Sequence, residues 1–134
     1  MKYLETVIEA GIFSKLSKSD YIRAFEALSV FGRRLKKGTT IFAEGDVVDR
    51  ICILQDGVIQ GEKAYADGEM HIIEVYTKGS LFALEAAVSE KRTAPIHYIC
   101  CEDSTVVSIN LDSIYRLSFC GEIFSAIMEK LASD

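Results

Sequence analysis

The sequence predicts a mainly β domain with helices at both ends, of the antiparallel sandwich, jelly-roll or barrel kind. Three observations lead there. Between residues 33 and 110, turn signals recur about every 8 to 12 residues and separate short strand-like runs. Residues before about Ser29 repeat apolar side chains at helical spacing, and so do those after Ile109. A chain of 134 residues, 49% hydrophobic and 26% charged, suffices for one core. A single domain over 1–134 is expected, with N-terminal helices over 1–30, strands over 33–110 and C-terminal helices over 111–134.

Leu4, Val7 and Ile8 share one face of a first helix that Gly11 ends. Ser17-Lys18-Ser19-Asp20 resembles a capping box, and Tyr21, Ala24, Phe25 and Leu28 continue the second helix at the right spacing. The strand-like runs are 40–43, 50–54, 58–65, 70–76, 95–100 and 105–109. Glu44-Gly45-Asp46, Gln55-Asp56-Gly57, Asp67-Gly68 and Lys78-Gly79 are the turns, and Asp67-Gly68 joins 58–65 to 70–76 as a hairpin. The stretch 82–88 breaks the rhythm and is helix-prone. Asn110 or Asp112 caps a short helix holding Ile114, Tyr115 and Leu117, which Cys120-Gly121 is expected to interrupt. Ile123, Phe124, Ile127, Met128 and Leu131 then form an apolar stripe on a short last helix, suited to its own domain or to a second copy.

Lys and Arg number 15 against 20 Asp and Glu, a net charge of -5. A surface that holds nucleic acid through its phosphates carries the opposite excess, so this chain alone is not expected to bind DNA or RNA. The one basic strip, Arg33-Arg34-Leu35-Lys36-Lys37, reads as a solvated strand or turn face. No apolar run approaches the roughly 20 residues of a membrane span. Met1-Lys2-Tyr3-Leu4-Glu5 has a carboxylate where a signal peptide is apolar, so a cytoplasmic protein without membrane contact is expected.

The four cysteines make no CxxC pair; Cys100 and Cys101 should face opposite sides of a strand, and Cys52, between Ile51 and Ile53, reads as a buried thiol. Disulfides and a metal site are not expected. His71 and His97 each fall on a strand and read as hydrogen-bonded or exposed side chains. Met70, Tyr76, Phe82 and Tyr98 could line a pocket or simply fill the core. With no Ser-His-Asp order, nucleophile elbow, P-loop or HExxH, no catalytic residue is assigned and no enzyme is expected.

One ordered set of segments carries more. Lys37-Gly38-Thr39-Thr40-Ile41-Phe42-Ala43-Glu44-Gly45-Asp46, Ile51-Cys52-Ile53-Leu54-Gln55-Asp56-Gly57-Val58-Ile59, Lys78-Gly79-Ser80-Leu81-Phe82 and Glu102-Asp103-Ser104-Thr105-Val106 together resemble the cyclic-nucleotide-binding domain. The branch is that of the sensor domains of Crp/Fnr-type bacterial transcription regulators. The resemblance runs from about Ile12 onward. It implies an antiparallel double-stranded β-helix, or jelly-roll barrel, with N-terminal helices, a ligand loop over 79–95 and a C-terminal amphipathic dimerisation helix. The homodimer would use Ile123, Phe124, Ile127, Met128 and Leu131, and DNA would be reached only through a helix-turn-helix outside this chain.

In that family a glycine and a glutamate, then an arginine beside Ser or Thr, hold the ribose and the cyclic phosphate. Laid without gaps from Gly79 and Phe82, the Gly-Glu pair falls on Ala83-Leu84 and the Arg-Ser/Thr pair on Ala94-Pro95. A shifted alignment lets Glu85 stand for the glutamate and Arg92-Thr93-Ala94 for the arginine signature. The candidate ligand residues are therefore Phe82, Ala83, Leu84, Glu85, Ala86, Arg92, Thr93 and Ala94. No cofactor is assigned; cyclic AMP, cyclic GMP or another small effector is the ligand class, and the degenerate loop weighs against the nucleotides. The alternative is a ligand-free dimerisation or scaffold module. A metal-dependent cupin-like enzyme ranks last, because the chain has only two His.

Overall fold

Between residues 30 and 110 the polarity alternates too fast for a helix, and eight strands form there. The structure, a computed structural model, describes residues 2–133. Its elements are α1 (Leu4–Glu9), α2 (Lys18–Ala27), β1 (Val30–Leu35), β2 (Thr40–Phe42), β3 (Arg50–Asp56), β4 (Ile59–Ala64) and β5 (Met70–Tyr76). Then follow β6 (Leu81–Phe82), α3 (Leu84–Val88), β7 (His97–Cys100), β8 (Ser104–Asn110), α4 (Leu111–Tyr115) and α5 (Cys120–Ser133).

The strands make two antiparallel sheets, β1-β8-β3-β6 and β2-β7-β4-β5, which is the jelly-roll order. Hydrogen bonding keeps the two sheets separate, so the expected barrel is a two-sheet sandwich. β3 lies inside the first sheet, with Ile51 opposite Ile109, Ile53 opposite Val107 and Cys52 also opposite Phe82 of β6. Ile51, Cys52, Ile53 and Leu54 are all fully buried, so both faces of this strand are covered. One face meets the other sheet; α1 and α3 pack against β3. Complete burial of one such side chain is worth roughly 1.5–3 kcal/mol.

Local chemistry explains the element ends. Gly11, at φ 85, follows the last turn of α1. Ser17 is the N-cap of α2, but its hydroxyl donates to the Asp20 carboxylate at 2.9 Å, so the reciprocal capping box does not form. Asn110 caps α4 by accepting from the backbone N–H groups of Asp112 (2.9 Å) and Ser113 (3.4 Å). Cys120 and Gly121 begin α5 instead of interrupting it, and α5 runs 14 residues, longer than the sequence implies. A helix tolerates Gly in its first turn, where backbone N–H groups have no intrahelical partner.

The cysteines lie as their spacing implies: Cys52 and Cys100 buried, Cys101 half-exposed, and all four thiols free. His97 Nδ1 accepts the Glu44 backbone N–H at 3.0 Å, tying β7 to the turn after β2. Arg34 is an exposed strand residue that reaches Thr105 Oγ1 at 2.9 Å and Asp56 at 3.3 Å. Among the described residues no helix is long and apolar enough to cross a membrane, and no buried side-chain polar atom lacks a hydrogen-bond partner.

Two outcomes follow. Gly57, at φ 105, leaves 2.7 Å between an added Cβ and the Ser104 Cα, whereas Gly38, at φ 89, opens onto free space. Denaturant melts should show Gly57→Ala losing about 3 kcal/mol or more and Gly38→Ala about 1 kcal/mol. Burial pushes the Cys52 thiol from 9.0 up to about 11. The folded state therefore holds this proton more tightly than the unfolded chain does, and the resulting stability is intact below about pH 9 and lost as the pH rises through 11. Thermal melts from pH 8 upward should show a decline that is shallower in Cys52→Ala.

Candidate ligand-binding cleft

The turn after β5 returns the chain to β3 through the two-residue strand β6, and α3 begins directly afterwards. The hinge is Ala83, the N-cap of α3, at φ 54 and ψ 22. A left-handed backbone there favours glycine, and the ungapped alignment sets the family's glycine on this same residue. Alanine keeps the conformation at the cost of its Cβ, roughly 1 kcal/mol. The next position, Leu84, is buried where the family carries its glutamate.

A cleft of about 820 Å³ opens beside this hinge. One wall is the end of β5 with Glu74, Val75 and Tyr76, continuing into Lys78, Gly79 and Ser80. Leu81 to Glu85 form the second wall, Tyr98 of β7 the back, and Lys130 and Leu131 of α5 the third side. Tyr76, Phe82 and Tyr98 pack as a triangle of rings with centroids 5.9 to 6.0 Å apart. The Tyr76 hydroxyl donates to Glu74 at 2.9 Å. Burial, then the Glu85 charge, pushes the Tyr98 phenol up to about 12, and burial with the Glu74 hydrogen bond raises Tyr76 further still. Both phenols are thus neutral near pH 7. The accessible lining is mostly polar, with two carboxylates, two ammonium groups and Ser80 set over largely buried rings, and it holds no arginine and no nucleophile–base pair.

The structure divides the sequence-derived ligand set. Phe82, Ala83, Leu84 and Glu85 line the cleft; Ala86, Arg92, Thr93 and Ala94 do not. Ala86 is buried. The 92–94 segment is stitched to the loop before β3: Val48 N–H bonds the Arg92 carbonyl at 2.6 Å, Thr93 bridges Val47, and Ala94 exchanges 2.8 Å bonds with Gly45 and Asp46. Arg92, at φ 50, lays its guanidinium over the Tyr115 ring at 5.5 Å. That ring lies 4.8 Å from the ring of Phe124 on α5. The arginine therefore sits on the terminal helices, away from the cleft. A cyclic phosphate at α3 would lack its counter-charge, and the residues present do not match the family's nucleotide set.

The expected dimer stripe also divides. Ile123 and Ile127 are fully buried in their own domain, which removes them from any surface for a second copy. Phe124 and Leu131 are half-buried, and Met128 is exposed. Tyr76 and Tyr98 belong to the cleft, while Met70 stands apart on the hairpin. Lys130 and Leu131 escaped the sequence reading as cleft residues, because their place depends on how α5 packs across the sandwich. Asp67, Glu69 and His71 come together at the exposed hairpin tip, with His71 Nε2 3.6 Å from Glu69. All three are open to solvent.

If Arg92 holds the terminal helices through Tyr115, Arg92→Ala and Tyr115→Ala should each cost about 0.5–1 kcal/mol. A double-mutant cycle read by urea unfolding should show them coupled, with or without cyclic AMP. Additive losses would break the stack.

Comparison with known proteins agrees with this geometry. The family description "Cyclic nucleotide-binding domain" matches residues 32–119. No curated protein matches the chain. Among solved structures, the sensor domain of the transcriptional regulator DNR from Pseudomonas aeruginosa is 17% identical, with a TM-score of 0.77 over 99% of this chain and 91% of that one. A cyclic nucleotide-binding domain from Methylobacillus flagellatus reaches a TM-score of 0.80 at 13% identity, over 98% of this chain and 77% of that one. The Thermus thermophilus Catabolite Activator Protein gives 0.70 at 16% identity; the match covers 92% of this chain but 58% of that one. At these identities the structures testify to the fold, and the family match covers most of the sequence: the chain belongs to the cyclic nucleotide-binding domain family.

Proposed function

We propose that this chain is the small-molecule effector domain of a Crp/Fnr-like transcription regulator, acting in the cytoplasm as a homodimer and without catalysis of its own. One observation carries the reading: the loop that forms the cleft and the terminal helix share its walls, Leu81 to Glu85 on one side and Lys130 and Leu131 on the other. A molecule filling the cleft would touch both, so its binding energy would bias how α5 sits on the sandwich. DNA would be reached only through a helix-turn-helix outside this chain.

The effector in this reading is not cyclic AMP or cyclic GMP. Leu84 is buried and apolar, and Arg92 is engaged with Tyr115. A polar molecule carrying both signs of charge suits the two carboxylates and two ammonium groups of the lining better. The same two residues favour the second reading, an assembly module that has lost its ligand.

Thermal-shift titration separates these readings. Saturation at about 100 times a dissociation constant adds roughly 2.7 kcal/mol and moves the midpoint by several degrees. Neither nucleotide should move it; a shift abolished by Arg92→Ala would restore the nucleotide sensor and refute this reading. A ligand-observed NMR screen of zwitterionic polar fragments should find binders that Ser80→Trp, which fills the cleft, displaces. Fragments that bind equally to Ser80→Trp, or none at all, would support the ligand-free module.

A further inference from the structure

We propose that the tip of the β4–β5 hairpin is a site for a divalent transition-metal ion of the zinc type, held by Asp67, Glu69 and His71. Each offers one ligand atom, two carboxylate oxygens and an imidazole nitrogen in all, and these atoms lie within 4.8 Å of one another. The backbone brings them together. Tyr65 accepts the Gly68 N–H at 2.9 Å and donates its own N–H to the Glu69 carbonyl at 3.0 Å, which closes the turn. Asp67 stands in that turn, and Glu69 and His71 follow at the two-residue period that keeps strand side chains on one side. The Tyr65 ring packs edgewise on the imidazole, with centroids 4.4 Å apart, and so limits how His71 can turn.

Two features separate this group from an ordinary acidic patch. The first is the imidazole nitrogen, a donor that suits zinc and its neighbours, whereas calcium and magnesium take oxygen ligands. The second is that the converging atoms do not satisfy one another. His71 Nε2 stands 3.6 Å from Glu69, beyond hydrogen-bond range. Asp67 gives one oxygen to the Glu69 N–H at 2.9 Å and keeps the other. Among the described residues neither carboxylate forms an ion pair with Lys or Arg, although Lys63 lies across the ladder from His71. Donor atoms on a tetrahedral zinc stand about 3.3 Å apart, so these exposed side chains need to close by about 1.5 Å, with water in the remaining position. An ion here would clamp the far end of the strand whose near end, Glu74 to Tyr76, walls the cleft.

The site stands independently of the effector reading, and zinc chloride titrated into the full chain tests it. In NMR spectra the His71 imidazole signals should shift and saturate at micromolar zinc. His97, whose Nδ1 accepts the Glu44 N–H, should stay still as the internal reference. By calorimetry, His71→Ala and Asp67→Asn should each weaken binding at least about tenfold, the loss that even an outer-shell partner causes. Both positions are exposed, and Asn keeps the acceptor that the Glu69 N–H uses, so the hairpin should survive either change. Cys101→Ser and Cys120→Ser, at the two partly exposed thiols, should leave zinc binding unchanged. Zinc that leaves His71 unshifted, or binding that survives His71→Ala and falls with the thiols, would overturn the site. Millimolar binding that Asp67→Asn does not alter would overturn it too, as attraction to an acidic surface only.

Discussion

Everything in this molecule is hung on β3, a strand buried on both faces. Ile51 to Leu54 have no exposure at all, so one face must be covered by the second sheet and the other by helices. That requirement sets the arrangement of the ends. α1 covers β3 from the N-terminal side, α3 from within the loop, and α5 returns close enough for Lys130 and Leu131 to edge the cleft. A half-solvated strand would need none of these covers. The cleft exists because the helices and β5 meet over the aromatic triangle without closing it.

At Arg92 the geometry departs from the scheme of the family. In the family's scheme an arginine neutralises a phosphate; here its guanidinium lies on Tyr115, which stacks on Phe124. Arg92 thus joins the loop to α4, and through Tyr115 to Phe124 of α5. The cleft, without that charge, is lined mainly by polar groups, its carboxylates balanced by ammonium groups. The loop reaches α5 indirectly, through Arg92 on Tyr115 of α4 and Tyr115 on Phe124, and Leu131 faces it across the cleft.

Much of the fold was legible because its signals are local. Asp67-Gly68 between two alternating runs makes the hairpin, and Asn110 before an apolar helical run makes the cap of α4. The failures were of three physical kinds. β6 has only Leu81 and Phe82, too short to show a period, and exists because β3 offers it a partner. Gly121 looked like a breaker but occupies a helical first turn, where it is tolerated. The stripe on α5 was correctly apolar, yet periodicity says only that a face is buried; Ile123 and Ile127 went to their own core. At the cleft, Phe82, Ala83, Leu84 and Glu85 were within reach of motif reasoning. Arg92 is found by the same motif, but spacing places a residue in a loop without saying which way its side chain turns, and here it turns to Tyr115.

The position of the Arg92 guanidinium is the most direct test of this arrangement. An NMR spectrum of arginine side-chain Nε–Hε groups, assigned with Arg92→Lys, would locate it. Stacking on Tyr115 should shift the Arg92 signal upfield through the ring current, relieve that shift in Tyr115→Leu, and leave it unmoved by saturating cyclic AMP. An unshifted signal that moves on adding the nucleotide would place the arginine in the cleft and contradict the account.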